Sequence, residues 1–316
     1  MLRAVAILLL LLAAGCAAAT EAAAPEPAPA CELFVLGTAQ DGGLPHLGCD
    51  RPCCASARAT GRVLFPACLG VLDRRNGKLL LVEATPRIED QVAMLHELAA
   101  VTGRGRQPVD AVLLTHAHIG HYLGLALFGR EAAGSRQLPV HCSPRFAGFL
   151  RGHGPWRQLV ELEQIHLREF TIGEPFEPWA GLSVRAIAVP HRDEFSDTMA
   201  FVLRGPERAV LFVPDVDAWE RAPGLLETLL EGVDVAYVDG TFFDGSELPD
   251  RNLAEIRHPL MTVTMQLLAE TARRRPGAIR FIHLNHTNPA LHDDAVRQRV
   301  EAAGFAVAEQ RERVRF

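Results

Sequence analysis

The chain has 316 residues, enough for one or two domains. Hydrophobic residues make up 48% and the formal net charge is −6, which supplies a large core and argues against a general nucleic-acid surface, where Lys and Arg would cluster. Seven Cys is an odd count, so a complete disulfide framework is not expected, and thirteen His is a high one.

The N-terminal segment reads as a leader rather than as part of the fold. Arg3 precedes an apolar run, Ala4–Ala14. That run is shorter than the roughly 20 residues that span a bilayer and suits the hydrophobic region of a secretory signal. It ends in Leu12-Ala13-Ala14-Gly15-Cys16, which is similar to a bacterial lipobox, where the Cys is diacylated and becomes the new N-terminus. Cleavage by an ordinary signal peptidase is the alternative. Residues 1–16 are read as a signal peptide with lipobox, and residues 17–30 as an Ala/Pro-rich, semi-rigid tether. The expected product is an exported periplasmic or cell-surface lipoprotein, held to the membrane through Cys16. Residues 31–316 form the domain.

Within it, Glu32–Gly37 reads as a strand and Thr38–Cys54 as a long loop crowded with Gly, Pro, Asp and Cys. Cys68–Asp73 and Lys78–Glu83 predict a hairpin about Arg74–Gly77. A helix runs from Thr85 to Ala100, with Ile88, Val92, Leu95, Leu98 and Ala99 at helical spacing. Val109–Thr115 is a buried strand leading directly into His116-Ala117-His118-Ile119-Gly120-His121. Further strands are expected over Leu138–Cys142, Leu182–Val189, Thr198–Arg204, Ala209–Val213, Val233–Val238 and Ile279–His283. Helices are expected after Arg145, around Leu225–Leu230 and from Pro259 to Ala272. Several buried strands lead into His or Asp, among them His191, Asp215, Asp239 and His283. In layered α/β folds, functional groups gather at such strand ends.

Three His within six residues, directly after a strand, point to a metal rather than to polar surface. Imidazole nitrogens bind Zn²⁺ at about 2.0–2.1 Å and catalytic sites keep a position open for water. A His at an apolar strand end, such as His283, is more often a packed core residue, and His286 competes for its role. Asp239 and His258 sit in loops that reach the same rim, as supports for ligands or as proton carriers. His96, on a helix, reads as structural. Cys49, Cys53 and Cys54 have the spacing to wrap one tetrahedral Zn²⁺. Export favours oxidation, so disulfides from Cys49 to either neighbour, or from Cys31 to Cys68, are the alternative. Cys142 reads as a core thiol.

LLTHAHIGHYLGL resembles the HxHxDH signature of the metallo-β-lactamase superfamily. Its other motifs follow in order: Glu83 in LLLVEATP, His191 in AIAVPHRDEFSDTMAF, Asp215 in LFVPDVD and His283 in RFIHLNHTNP. Within the superfamily, GTAQDGGLPHLGC, VEATPRIEDQ and FIHLNHTNPAL are most similar to PqqB-like proteins of pyrroloquinoline quinone biosynthesis. The cysteine loop is similar to that of PhnP-like phosphodiesterases. Cys49 and Cys54 match the outer Cys of their Cys-x-Cys-x-x-Cys loop, Arg51 stands in place of the middle one, Cys53 substitutes for it, and His286 matches their His.

The resemblance implies an α/β fold, a four-layer αββα sandwich of the metallo-β-lactamase type. It implies a first metal on His116, His118 and His191 and a second on His121 and His283, with Asp215 bridging. Asp215, His258 and Asp41 are the residues expected to act in the reaction. Cys49, Cys53, Cys54 and His286 would hold a separate structural Zn²⁺. One or two Zn²⁺ are expected at the rim, with Fe²⁺ or Mn²⁺ as alternatives. The implied activity is hydrolysis of an ester, phosphodiester or lactam-like bond in a small molecule by metal-activated water. A PqqB-like, metal-dependent oxidoreductase linked to quinone cofactor maturation is an alternative, as is a non-catalytic metal- or cofactor-binding lipoprotein.

Gly120 is the chief departure from the signature, which has Asp there. The missing carboxylate would ligate the second metal and steer water. Its loss predicts a second site weaker than the first, strengthened by Gly120→Asp, unless Asp41 or Asp239 stands in. The bland reading of Gly120 is a loop position with positive φ, which Gly tolerates.

Overall fold

The computed structural model describes residues 30–249, 252 and 257–316, so the signal peptide, the lipobox and nearly all of the tether lie outside the described residues. Two seven-stranded sheets carry the fold. The first comprises β1 (Cys31–Gly37), β2 (Cys68–Asp73), β3 (Lys78–Val82), β4 (Ala111–Leu113), β5 (Leu138–Cys142), β6 (Ile165–Glu169) and β14 (Arg313–Arg315). Their order is β14-β1-β2-β3-β4-β5-β6. The second comprises β7 (Pro175–Trp179), β8 (Leu182–Val189), β9 (Thr198–Arg204), β10 (Ala209–Val213), β11 (Val235–Asp239), β12 (Ile279–Ile282) and β13 (Ala306–Val307), in the order β13-β12-β11-β10-β9-β8-β7.

Side chains alternate faces along a strand, and β1 shows what that does here. Leu33 and Val35 pack between the sheets with Leu69, Leu80, Phe201, Phe212 and Tyr237. Phe34 and Leu36 point the other way, into a layer shared with Leu95 of α2 (Ile88–Ala99), Phe146 of α4 (Pro144–Gly152) and Trp156 of α5 (Trp156–Glu161). The second sheet has its own outer layer, where Leu211 and Phe281 meet Leu226 of α6 (Leu225–Leu230), Met261 of α7 (Met261–Leu267), Ala272 of α8 (Ala269–Arg274) and Val300 of α9 (Asp294–Ala302). Strands covered on both faces are apolar throughout, which is why the sequence shows continuous runs and little alternation. The result is the expected αββα sandwich.

Three local expectations need correction. Thr38–Cys54 is not loop to its end: Pro52 opens α1 (Pro52–Thr60), where the missing N–H costs nothing, and Cys53 and Cys54 lie in that helix. The helix expected from Pro259 to Ala272 is two short helices meeting at Leu268. A Cys31–Cys68 disulfide is excluded by register, because Cys31 pairs with Asp73 and Cys68 with Gly37, at opposite ends of the β1–β2 ladder. β7 escaped notice because its two Pro argue against a strand; it is tolerated at the sheet edge.

β3 and β4 are parallel, as are β10, β11 and β12, and β8 runs in the same direction because β9 opposes both β8 and β10. Their C-terminal ends therefore deliver Glu83, His116, His191, Asp215, Asp239 and His283 to one rim.

Candidate metal centre

After β4 the chain turns through Thr115–His118 before the short helix α3 (Ile119–Tyr122). That turn is pinned to the β8–β9 loop, where Ser196 Oγ accepts from Ala117 N at 2.8 Å. Glu83 and His283 stand at the ends of β3 and β12 with φ of 79° and 63°. Non-Gly residues rarely adopt the left-handed region, and the surrounding structure must hold them there. Both side chains are fully buried at the rim.

Three groups of donor atoms result at the rim: Asp239, His258 and His283 form one, and the other two share Asp215. One atom each from His116, His118, His191 and Asp215 lie within 4.8 Å of one another, and so do one each from Asp41, His121, Asp215 and His283. Asp215 belongs to both groups. Its Oδ2 is 3.0 Å from His121 Nε2, 3.4 Å from His116 Nε2 and 3.4 Å from His283 Nε2, and its Oδ1 is 3.7 Å from His191 Nε2. His116 Nε2 and His118 Nδ1 face each other at 2.9 Å.

The outward nitrogens are taken up elsewhere. Thr115 Oγ1 donates to Glu83 Oε1, so it accepts from His116 Nδ1 at 2.8 Å. His121 Nδ1 is 3.2 Å from the same Glu83 oxygen. His118 Nε2 meets Glu194 Oε2 at 2.9 Å. Thr241 Oγ1 donates to Asp239 Oδ1 at 2.7 Å and accepts from His283 Nδ1 at 3.0 Å. The exception is His191, whose Nδ1 faces Asp217 Oδ1 at 3.5 Å without a hydrogen bond. These contacts leave Nε2 of four His, and Nδ1 of His118, pointing inward toward one another.

A cation fits this arrangement. His121 Nε2 and Asp215 Oδ1 are buried and lack hydrogen-bond partners, although buried polar atoms are normally satisfied. Burial, together with the His121 charge, pushes His116 well below the usual imidazole range. Burial likewise takes His191 down to about 4. Neutral imidazoles are what metal binding needs. Burial would raise Asp215, but His283, His116 and His121 hold it well below the carboxylate range. For His121, burial is outweighed by Glu83, Asp215 and Asp41, which hold its pKa well above the ordinary value.

Gly120 has no positive φ; it sits in α3, so the loop explanation does not apply. A β-carbon there would lie 2.2 Å from Asp41 Oδ1 and 2.6 Å from Asp41 Cα. Asp41 Oδ1 is 3.2 Å from His121 Nε2 and 3.4 Å from His283 Nε2. The space that an Asp side chain at 120 would need is filled by Asp41. The expectation that Gly120→Asp adds a ligand is therefore corrected, because the new side chain meets an existing carboxylate. Asp239 is not the substitute: its oxygens accept from Val216 N, Thr241 N and Thr241 Oγ1 and meet His258 Nδ1 at 2.8 Å. His258 Nδ1 also lies 3.3 Å from Asp215 Oδ1. Burial opposes its protonation, but Asp239 and Asp215 raise its pKa to about 9.

His283 and His286 separate cleanly, the first at the rim and the second among the cysteines. Donor atoms of Cys49, Cys53, Cys54 and His286 lie within 4.8 Å of one another. His286 Nδ1 is buried without a partner, and the His286 ring stacks on His46 at 4.4 Å. His46 N donates to Cys54 Sγ at 3.2 Å. All six described cysteines are free thiols, and Cys142 is a core residue as expected. His96 is structural, its Nε2 2.7 Å from Pro108 O. Sequence reasoning missed Thr115, Glu194, Asp217 and Thr241. Only Thr115, adjacent to His116, carried a positional signal.

The family model described as "Beta-lactamase superfamily domain" matches residues 79–284. The chain is 28% identical over 297 residues to "Coenzyme PQQ synthesis protein B" of Methylobacterium nodulans, covering 87% of this chain and 97% of that protein. The Rhizobium meliloti protein of the same name is 28% identical over 300 residues, with 87% and 94% covered. Among solved structures, Zn²⁺-bound PqqB from Methylobacterium extorquens superposes with a TM-score of 0.76 at 21% identity, covering 90% of this chain and 100% of that one. A diphosphatase from the PhnP family superposes with a TM-score of 0.65 at 19% identity, covering 90% and 97%. At these identities the structural neighbours share the fold.

Proposed function

The chain belongs to the β-lactamase superfamily, and from that premise we propose that it is a two-metal hydrolase acting on a small molecule. His116, His118 and His191 would hold one ion and His121, His283 and Asp41 the other, with Asp215 shared by the two donor groups. The observation that carries this reading is the outward nitrogen of each rim His, turned to a Thr, Glu or Asp, which leaves the inward atoms as a preorganised donor set. When bound, divalent ions supply Lewis acidity and activate water for attack on an ester, phosphodiester or lactam-like bond. Zn²⁺ suits the nitrogen-rich first group. Glu83 fixes both His116, through Thr115, and His121, so the two groups are oriented by one carboxylate. His258, held by Asp239 and facing Asp215, is placed to carry a proton to the leaving group.

Similarity to coenzyme PQQ synthesis proteins supports a second reading, an oxidative one, because His/carboxylate sites also suit Fe²⁺. Metal analysis after anaerobic purification, paired with a panel of esters and phosphodiesters, decides between them. Two equivalents of zinc at the rim with turnover of an ester or phosphodiester is expected. Iron as the native metal with no hydrolysis would overturn the hydrolase reading. His116→Ala combined with His118→Ala should lose most of the rim metal, and full retention would sink the ligand assignment.

A further inference from the structure

A cavity of about 430 Å³ opens against His258, with Gln40, Arg51, Arg192, Arg257 and Asn285 among its walls. Its volume lies in the ordinary range for small-molecule sites, about 300–1,000 Å³. The lining holds three guanidinium groups and, among the described residues, no carboxylate. That local charge stands against a chain whose net charge is −6.

The three arginines come from three separate segments, each anchored by a residue already described. Arg51 is the N-cap of α1 and lies between Cys49 and Cys53. Arg192 follows His191, and Arg257 precedes His258. Arg257 donates to Asp217 Oδ2 at 3.0 Å, an oxygen that Arg221 also contacts at 3.1 Å, and 47% of its side chain stays exposed. Arg192 lies 3.9 Å from Glu194, a carboxylate already engaged by His118. Guanidinium groups carry five donors each, so these contacts leave most of them available. Asp217 and Glu194 offset part of the charge of Arg257 and Arg192, and a bound anion relieves the repulsion that remains among the three cations. The planar guanidinium fork matches carboxylate and phosphate oxygens in pairs.

We propose that this cavity is an oxyanion subsite, so the substrate is a small molecule carrying a carboxylate or phosphate group beside the bond that reacts. This rests on the reading of the neighbouring rim as the reacting centre.

Calorimetric titration of the zinc-loaded protein tests it with three probes: benzene-1,3-dicarboxylate, phenyl phosphate, and the neutral benzene-1,3-dicarboxamide. The dicarboxylate or the phosphate should bind, the stronger of the two naming the oxyanion, and the diamide should not. Arg51→Gln, Arg192→Gln and Arg257→Gln should each weaken binding about tenfold, with metal content unchanged. Equal affinity for the diamide, or unchanged anion affinity in all three variants, would overturn the proposal. Should Arg192→Gln or Arg257→Gln shed rim metal, Arg51→Gln decides, and wild-type affinity there overturns it. The readout is binding, so anion binding through the arginines without any turnover would remove the hydrolase reading and leave this one standing. Ester turnover with arginine-independent binding would do the reverse.

Discussion

Asp41 occupies the volume that a side chain at Gly120 would need: a β-carbon on Gly120 would stand 2.5 Å from Asp41 Cγ. The superfamily signature places a carboxylate on the residue before the third His. Here the carboxylate reaches the same imidazoles from the loop after β1, where it lies 3.2 Å from His121 Nε2. Burial alone would raise the Asp41 pKa, but the facing imidazoles of His121 and His283 hold it well below the usual carboxylate value. It is therefore ionised at neutral pH and suited to a cation.

Asp41→Ala should weaken the second metal site at least about tenfold, as loss of an anionic ligand or its support does. Gly120→Asp alone should weaken it as well, by displacing Asp41. Adding Asp41→Gly should not recover the loss, because the β-carbon at 120 would still stand 2.6 Å from the Cα of residue 41. Zinc titration against a competing chelator reads all three. A gain in second-site affinity from Gly120→Asp alone would refute the steric argument.

The cysteine cluster predicts a separate zinc. Burial raises the Cys54 thiol to about 11, so a cation is what would make it a thiolate near neutral pH. Cys54→Ser should release one metal equivalent and lower Tm by on the order of 10 °C, because metal affinity at such a site is folding free energy. Mass spectrometry that finds Cys49 in a native disulfide would rule the zinc site out.

His141 should contribute an acid-sensitive stability term. It stacks on Phe176 at 5.3 Å, and burial, then the Arg168 charge, lowers its pKa from 6.5 to about 4. Between these values the unfolded chain binds more protons than the native one, so stability rises with pH across that window. The contribution is complete above pH 6.5 and is lost as pH falls toward 4, to a limit of about 3 kcal/mol. His141→Phe should flatten the dependence of stability on pH there; metal release affects both proteins and cancels in the comparison. Parallel pH profiles would show that His141 does not titrate as argued.

We also propose acylation at Cys16. The full-length protein should partition with membranes, and Cys16→Ser should remove the acyl mass; two chains anchor stably where one does not. A tether of 14 residues reaches about 40 Å when extended. No described helix is long and apolar enough to cross a membrane. A soluble product that begins beyond Ala17 would point to an ordinary signal peptidase instead.

The layered fold and the first part of the centre were legible from the order of the residues. Buried strands announce themselves as apolar runs, and His116, His118 and His121 share a few residues of one chain, so local geometry alone brings them together. Asp215 and His283 end strands, but the order of the motifs in the resemblance, not the strand ends alone, marked them for the centre. The tertiary structure decided the rest. Whether Asp41 reaches the place vacated at Gly120, whether Cys31 meets Cys68, and which face of the cavity receives Arg51, Arg192 and Arg257 all depend on how distant loops settle over that rim. Such contacts leave no period in the sequence, since each is made by an irregular segment whose position is set by the packing of everything beneath it.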